Sequence, residues 1–123
     1  MDITETLNGL KQAIHQLAND KGWYDETETE AQFVNRTCAN MHDEVSELHT
    51  AFREGKLFKP CDKAEKLREL GLTELTCVEE ELADVIIRAL DTAGRLRVDI
   101  GRAVMTKHAL NVVRPYRHGG KLS

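Results

Sequence analysis

The sequence is poor in the residues and runs that favour sheets and membrane spans. Its 123 residues include only two prolines and 5% aromatic residues, and β-branched residues rarely follow one another. These shortages argue against a β-sheet. No segment approaches the roughly 18 consecutive apolar residues that cross a bilayer, and the first residues lack the basic and apolar regions of a signal peptide. We therefore expect a single all-α domain over residues 1–123, cytoplasmic and without a membrane partner.

The cysteines exclude two further classes of small protein. Cys38, Cys61 and Cys77 are odd in number and widely spaced, and no CxxC pair occurs. A disulfide framework needs an even count, and a zinc site needs closely paired ligands. We therefore expect three plain thiols, with Cys38 acting as a small apolar side chain.

The charge balance argues against a nucleic-acid polymer as partner. The formal net charge is −4, so the chain as a whole is a poor ligand for a phosphate backbone. The charge is unevenly spread, because residues 25–30 are acidic and residues 107–121 carry a basic cluster. The basic end has two interpretations: a solvated terminus, or a surface that meets phosphate groups held on a metal.

Helical periodicity with clear helix ends is what the sequence does have. It predicts helices over 3–18, 30–53 after a Thr29 N-cap, 63–70, 77–94 after a Thr76 capping box, and 100–114 before Pro115. In the second helix the apolar residues recur at four- and three-residue spacing and predict a stripe along the core: Val34, Cys38, Met41, Val45, Leu48 and Phe52. Helices joined by short connections predict an all-α bundle of the four-helix type.

Two acidic pairs border the predicted core. Glu44 and Glu47 lie three residues apart on the second helix, and Glu81 and Asp84 lie three apart on the next long one. Each pair therefore shares a helix face. A lone Glu-x-x-Glu is most simply a solvated face, but the second pair lies on a strongly apolar helix, where an unpaired carboxylate is costly. Arg88, one turn further on, can neutralise only one of the four charges.

Four converging carboxylates would form a site for a hard divalent cation. All-oxygen ligands suit Mg²⁺ or Mn²⁺ rather than zinc or copper. His42 and His49 do not have the Glu-x-x-His spacing of di-iron bundles. Mg²⁺ is therefore the expected cofactor, with Mn²⁺ as a substitute.

The last helix carries a polar row that complements such a site. Lys107, Asn111 and Arg114 are spaced by four and three residues and share one face, and Lys121 extends the basic end. The row is either an ordinary wet face or a phosphate clamp, with Arg114 offering its guanidinium fork. No GxxxxGK[ST] loop occurs, so phosphates would be held by metals and side chains.

Trp23 is the only tryptophan and follows the first helix. One interpretation is that its large apolar ring closes the end of the core. The other is that it offers a stacking surface for a base, and the two roles are compatible.

The acidic pairs resemble a known signature. Glu44-Val-Ser-Glu47 followed by Glu81-Leu-Ala-Asp84 is similar to the EExxE…ExxD pattern of the all-α nucleotide pyrophosphohydrolases, the MazG-like superfamily. Residues 21–25 and the ending 107–121 resemble the small single-domain MazG-like proteins of bacteria and phages. The resemblance covers nearly the whole chain.

The resemblance implies a Mg²⁺-dependent enzyme that cleaves a nucleoside triphosphate between its α- and β-phosphates, giving the monophosphate and pyrophosphate. It implies that the two acidic pairs are the metal ligands and catalytic residues, and that Lys107, Asn111 and Arg114 contact the triphosphate. It also implies a homodimer or homotetramer with the nucleotide between subunits. Trp23 and His15 are the expected base-pocket residues. The rival hypotheses are a non-catalytic nucleotide-binding module and a structural bundle held by salt bridges.

Two features depart from the family pattern. Asp43 stands where the signature has its first Glu, and its shorter side chain is not assigned a ligand role. Residues 55–76 make the gap between the acidic pairs longer than usual. This segment is interpreted as an insertion that shapes specificity or as a loop that covers the bundle.

Overall fold

The computed structural model describes residues 2–115, which form five α-helices and no β-strand. The helices are α1 (Ile3–Asp20), α2 (Glu30–Arg53), α3 (Ala64–Glu69), α4 (Cys77–Leu96) and α5 (Ile100–Val113). The all-α prediction is confirmed. None of these described helices combines the length and the apolar composition that crossing a membrane requires.

The helix ends follow from local hydrogen bonds that the sequence encodes. Thr29 begins α2 with a complete capping box: its hydroxyl accepts from the Gln32 amide at 3.1 Å, and the Gln32 side chain accepts from the Thr29 amide at 2.9 Å. Thr76 and Glu79 form the same box at the start of α4. Gly55 follows α2 with φ of +69°, which L side chains rarely adopt. Each cap is worth about 1 kcal/mol, so these bounds depend little on tertiary packing.

The helices pack in the spatial order α2, α4, α1, α5, with α4 between α1 and α2 and with α5 against α1. Two glycines permit the close crossings on α1. A Cβ on Gly94 of α4 would lie 2.6 Å from the Cβ of His15, and one on Gly101 of α5 would lie 2.4 Å from the carbonyl oxygen of Thr4. Larger residues at either position would push the helices apart.

The buried face of α2 differs from the predicted apolar stripe. Its buried residues are Phe33, Thr37 and Glu44, which also recur at helical spacing. Three members of the predicted stripe are exposed: Cys38, Val45 and Phe52. The prediction is therefore wrong for a single chain, because α2 turns a more polar face towards α4. Periodicity alone does not distinguish a face that packs within the chain from one left for another surface.

Much apolar surface stays uncovered in the single chain. The chain exposes 9308 Å², whereas a compact monomer of this mass exposes about 6,700 Å². The nine residues outside the described part can add at most roughly 1,400 Å², the value for an extended chain. On α4 alone, Leu82, Ile86 and Ile87 are 45–53% exposed. The predicted apolar face of α4 is therefore only partly used within the chain.

Candidate metal centre

The packing of α2 against α4 brings carboxylates of both helices together. Glu44 of α2 and Glu81 and Asp84 of α4 each offer an oxygen, and these three oxygens lie within 4.8 Å of one another. Three of the four predicted metal ligands therefore converge inside one chain. The sequence could only suggest that α2 packs against α4, and the structure contains this packing.

Two oxygens in this cluster are buried and lack a hydrogen-bond partner. The Glu44 side chain is only 9% exposed; its Oε1 accepts from Nε and Nη2 of Arg88, at 3.2 and 3.1 Å. Oε2 of Glu44 and Oε2 of Glu81 are buried and have no hydrogen-bond partner among the described residues. Buried polar atoms are almost always paired in folded proteins. A divalent cation would satisfy both oxygens, and an all-oxygen donor set is what Mg²⁺ or Mn²⁺ takes.

Burial and neighbouring carboxylates raise the pKa of two carboxyl groups in the cluster. Burial raises the pKa of Glu81 to about 7, and its hydrogen bond to Glu47 and the Glu47 charge add to the shift. Burial also raises the pKa of Asp84, with the charge of Glu44 as the next cause. In both groups burial is the largest cause of the raised pKa, and the neighbouring carboxylates add to it.

Glu47, the fourth predicted ligand, lies beside this cluster rather than within it. Its side chain is exposed, and it contacts Glu81 from the solvent side. It is therefore the most accessible of the four carboxylates and the best placed to meet a group that arrives from solution.

Two cations contact the acidic residues from outside. Arg88 pairs with Glu44, so the expectation that it takes one charge of the site agrees with the structure. Lys63 donates to Glu80, whose side chain is only 10% exposed. Sequence reasoning assigned no role to Lys63 or Glu80, and it left residues 55–76 open as an insertion that shapes specificity or a covering loop. The available signal was the run of three glutamates that opens α4, which calls for a nearby cation.

A cavity of about 410 Å³ opens from the carboxylates towards α1. Glu44, Asp84, Arg88 and Asp91 are its polar wall, and Ile14, Leu17, Ala18, Trp23 and Ile87 are its apolar wall. Trp23 is 63% exposed, so it lies at the rim of this cavity and does not close the core of the single chain. The indole face is available for stacking next to the acidic cluster.

His15 lies outside this cavity and reaches it only through Asp91. Its Nδ1 is 3.1 Å from the hydroxyl of Tyr24 and 3.4 Å from a carboxylate oxygen of Asp91, and Tyr24 donates to the same oxygen. The cluster fastens the connector after α1 to α4. Trp23, the neighbour of Tyr24, is therefore held near Asp91, which belongs to the cavity wall, whereas His15 itself lines a different cavity.

The Tyr24–Asp91 hydrogen bond predicts a pH-dependent effect of Tyr24→Phe. Burial, followed by the hydrogen bond to Asp91, raises the pKa of Tyr24 above its ordinary 10.0. The folded state thus holds the phenol proton more tightly than the unfolded chain does, so this stabilisation is complete below pH 10 and declines as the pH rises through the folded-state pKa. We expect Tyr24→Phe to lower the free energy of unfolding by about 1 kcal/mol at neutral pH and by less near pH 11. Urea titrations at both pH values measure this, and an equal loss at both would contradict it.

The predicted phosphate clamp lies on another part of the chain. Lys107, Asn111 and Arg114 are exposed on or just after α5, which packs against α1, whereas the carboxylates lie between α2 and α4. Arg114 donates to Asn111 at 3.3 Å. Within residues 2–115, no hydrogen bond or ion pair joins this row to the acidic cluster. Lys121, the remaining member of the predicted clamp, lies outside the described residues.

No family model, no curated protein and no solved structure matches the chain.

Proposed function

We propose that this chain is a Mg²⁺-dependent nucleoside triphosphate pyrophosphohydrolase of the MazG-like kind. It would cleave a ribo- or deoxynucleoside triphosphate between the α- and β-phosphates. The observation that carries the proposal is the convergence of Glu44, Glu81 and Asp84 with two buried, unpartnered oxygens. A purely structural bundle would pair such oxygens within the chain, since an unpaired buried carboxylate is strongly destabilising.

The chain's own residues have distinct roles in this proposal. Glu44, Glu81 and Asp84 would hold the ion, and Glu47 would complete the ligand set from the solvent side. Arg88 donates twice to one oxygen of Glu44, which leaves the other oxygen for the metal and fixes the orientation of the carboxylate. Such hydrogen bonds to a ligand typically matter nearly as much as the ligand itself.

The reaction is a hydrolysis at the α-phosphorus. An oxygen of water forms the new bond, the bond from phosphorus to the bridging oxygen breaks, and pyrophosphate leaves. When bound, Mg²⁺ neutralises phosphate charge and lowers the pKa of a coordinated water. The carboxylates would hold the ion against the phosphate, and one of them would receive the proton that the water loses.

The cavity beside Trp23 supports a nucleotide as the substrate. Its volume of about 410 Å³ lies within the usual range of small-molecule sites. Its apolar wall and exposed indole suit a base, which stacks on aromatic rings with little sequence preference. Its polar wall contains Glu44 and Asp84, so a base on Trp23 would have its phosphates close to the metal ligands.

The proposal includes a homodimer or a dimer of dimers. The uncovered apolar side chains of α2 and α4 resemble half of an interface, and a standard interface covers about 800 Å² on each partner. A second copy would also supply the polar row that one chain does not bring to the carboxylates: the cations Lys107 and Arg114, with the Asn111 amide between them. The site would then be complete only in the assembly.

A nucleotide panel tests the proposal directly. The purified protein is incubated with ribo- and deoxynucleoside triphosphates and Mg²⁺, Mn²⁺ or EDTA, and the products are separated by anion-exchange chromatography. We expect equal amounts of monophosphate and pyrophosphate, with metal and not with EDTA. Release of orthophosphate and a diphosphate would place the cut at another bond. Binding of nucleotide without any product would favour the non-catalytic module.

A further inference from the structure

A second cavity, of about 390 Å³, lies on the other side of the carboxylate cluster. The first cavity contains Glu44 and Asp84, whereas the second contains Glu47 and Glu81. The two acidic pairs thus extend from one cavity to the other, and the candidate metal centre stands between them.

The walls of the two cavities differ in chemistry. The first has an apolar wall with an indole. The second has no aromatic residue among those that line it. Its lining has five carboxylates and two lysines, Lys56 and Lys63, and Lys56 pairs with Glu54 at 3.1 Å. With a divalent ion on the carboxylates, this polar wall would suit phosphate groups within reach of Lys63 and would suit a base poorly.

The Lys63 ammonium is held at this cavity and has a hydrogen-bond donor left for a ligand. Its ammonium donates to the nearly buried Glu80 and lies 3.4 Å from a carboxylate oxygen of Asp62. An ammonium group has three donors, and the Lys63 side chain is 64% exposed. Glu80 therefore fixes the position of the cation, while a third proton and an open side face the cavity.

We propose that Lys63 binds the terminal phosphates of the metal-bound substrate, so that the nucleoside half lies in the Trp23 cavity and the pyrophosphate half in the second cavity. This inference rests on the proposed function and adds a direction to it: the bond to be cut lies over the carboxylates between the two cavities. It also gives the 55–76 segment a role, because Lys63 comes from it. Lys63 is a binding residue here and Glu80 is its positioning residue.

The test measures binding rather than turnover, with three probes in Mg²⁺: inorganic pyrophosphate, a deoxynucleoside triphosphate with a methylene bridge between the α- and β-phosphorus, and the matching monophosphate. We expect Lys63→Met to weaken pyrophosphate and the triphosphate analogue by about 10- to 100-fold, the range for losing a charged hydrogen bond. Monophosphate binding should stay within about twofold, because the monophosphate does not reach the second cavity. Isothermal titration calorimetry supplies the dissociation constants.

Two matched variants control for charge and segment. Lys63→Arg keeps the cation and should retain most of the pyrophosphate affinity. Lys59→Met removes a lysine from the same segment whose side chain has no hydrogen bond or ion pair within residues 2–115, and it should bind as the wild type does. If Lys63 served only as a stabilising ion pair, Lys63→Met would lower the melting temperature. It would then affect the binding of pyrophosphate and of monophosphate equally.

A double variant controls for effects of Lys63→Met on folding. Lys63→Met leaves Glu80 buried without its partner, whereas Lys63→Met with Glu80→Met removes both charges, a change that is often nearly neutral for stability. The double variant should show the same loss of pyrophosphate affinity. Unchanged affinity in the folded variants would overturn the role of Lys63 even if the wild type hydrolyses triphosphates. If the wild type binds pyrophosphate but hydrolyses nothing, the proposed reaction fails and Lys63 is judged on binding. If it hydrolyses triphosphates but does not bind pyrophosphate, the reaction stands and the role of Lys63 fails; if it does neither, both proposals fail.

Discussion

Replacing Asp84 with asparagine should abolish hydrolysis of nucleoside triphosphates and stabilise the metal-free protein. Asp84 lies within 4.8 Å of the carboxylate oxygens of Glu44 and Glu81, so its charge is costly without a cation and essential with one. We expect kcat/KM to fall by at least about 100-fold, because a lost ligand removes several kcal/mol of charge stabilisation. Without metal, the neutral amide should raise the free energy of unfolding by about 1 kcal/mol. Mg²⁺ should raise the melting temperature of the wild type but not that of Asp84→Asn.

Asp43→Asn is the matched control for this experiment. Asp43 is the neighbour of Glu44, yet it is exposed and lies outside the three-carboxylate cluster. The same chemical change there should leave both activity and the Mg²⁺-dependent rise in melting temperature near the wild-type values. Full activity in Asp84→Asn, or equal losses in the two variants, would remove the basis for the metal centre.

Glu47→Ala should also abolish turnover while helicity survives, since Glu47 completes the ligand set.

Replacing Ile86 with glutamate should separate the subunits of the proposed assembly. Ile86 of α4 is 53% exposed in the single chain, and Leu82, one turn before it, is 47% exposed. A charge at this position would be buried without a partner in an interface between two copies, whereas it is harmless on a free surface. We expect the dissociation constant of the assembly to rise by about 30-fold or more, the size of an interface hot spot. Sedimentation velocity over a concentration series measures it, and activity should fall at the concentrations where the subunits part.

Leu72→Glu serves as the control for an exposed apolar side chain elsewhere. Leu72 is 56% exposed in the turn after α3, away from the apolar side chains of α2 and α4. The Leu72→Glu substitution should leave the assembly unchanged. A wild-type protein that sediments as a monomer throughout would contradict the proposed assembly, and an intact assembly in Ile86→Glu would exclude this face of α4 as the interface.

The helices and their ends were determined by the sequence alone. Thr29 and Thr76 cap the helices that they predict, Asp99 accepts from the Arg102 amide at the start of α5, and Gly55 follows the end of α2. These signals act over three or four residues, so they do not depend on what the helix packs against. The two acidic pairs were also evident from the sequence, because residues three apart always share a helix face.

Which face of α2 is buried, and which residues surround the carboxylates, was decided only by the tertiary structure. Two adjacent faces of α2 have helical spacing, and the one that packs on α4 contains Phe33, Thr37 and Glu44 rather than the more apolar stripe. Lys63 meets Glu80 across 17 residues and Tyr24 meets Asp91 across 67, and no local rule couples such distant positions. Local hydrogen bonding determines where a helix begins and ends, whereas the rotation of a helix and its long-range partners depend on the packing of the whole chain.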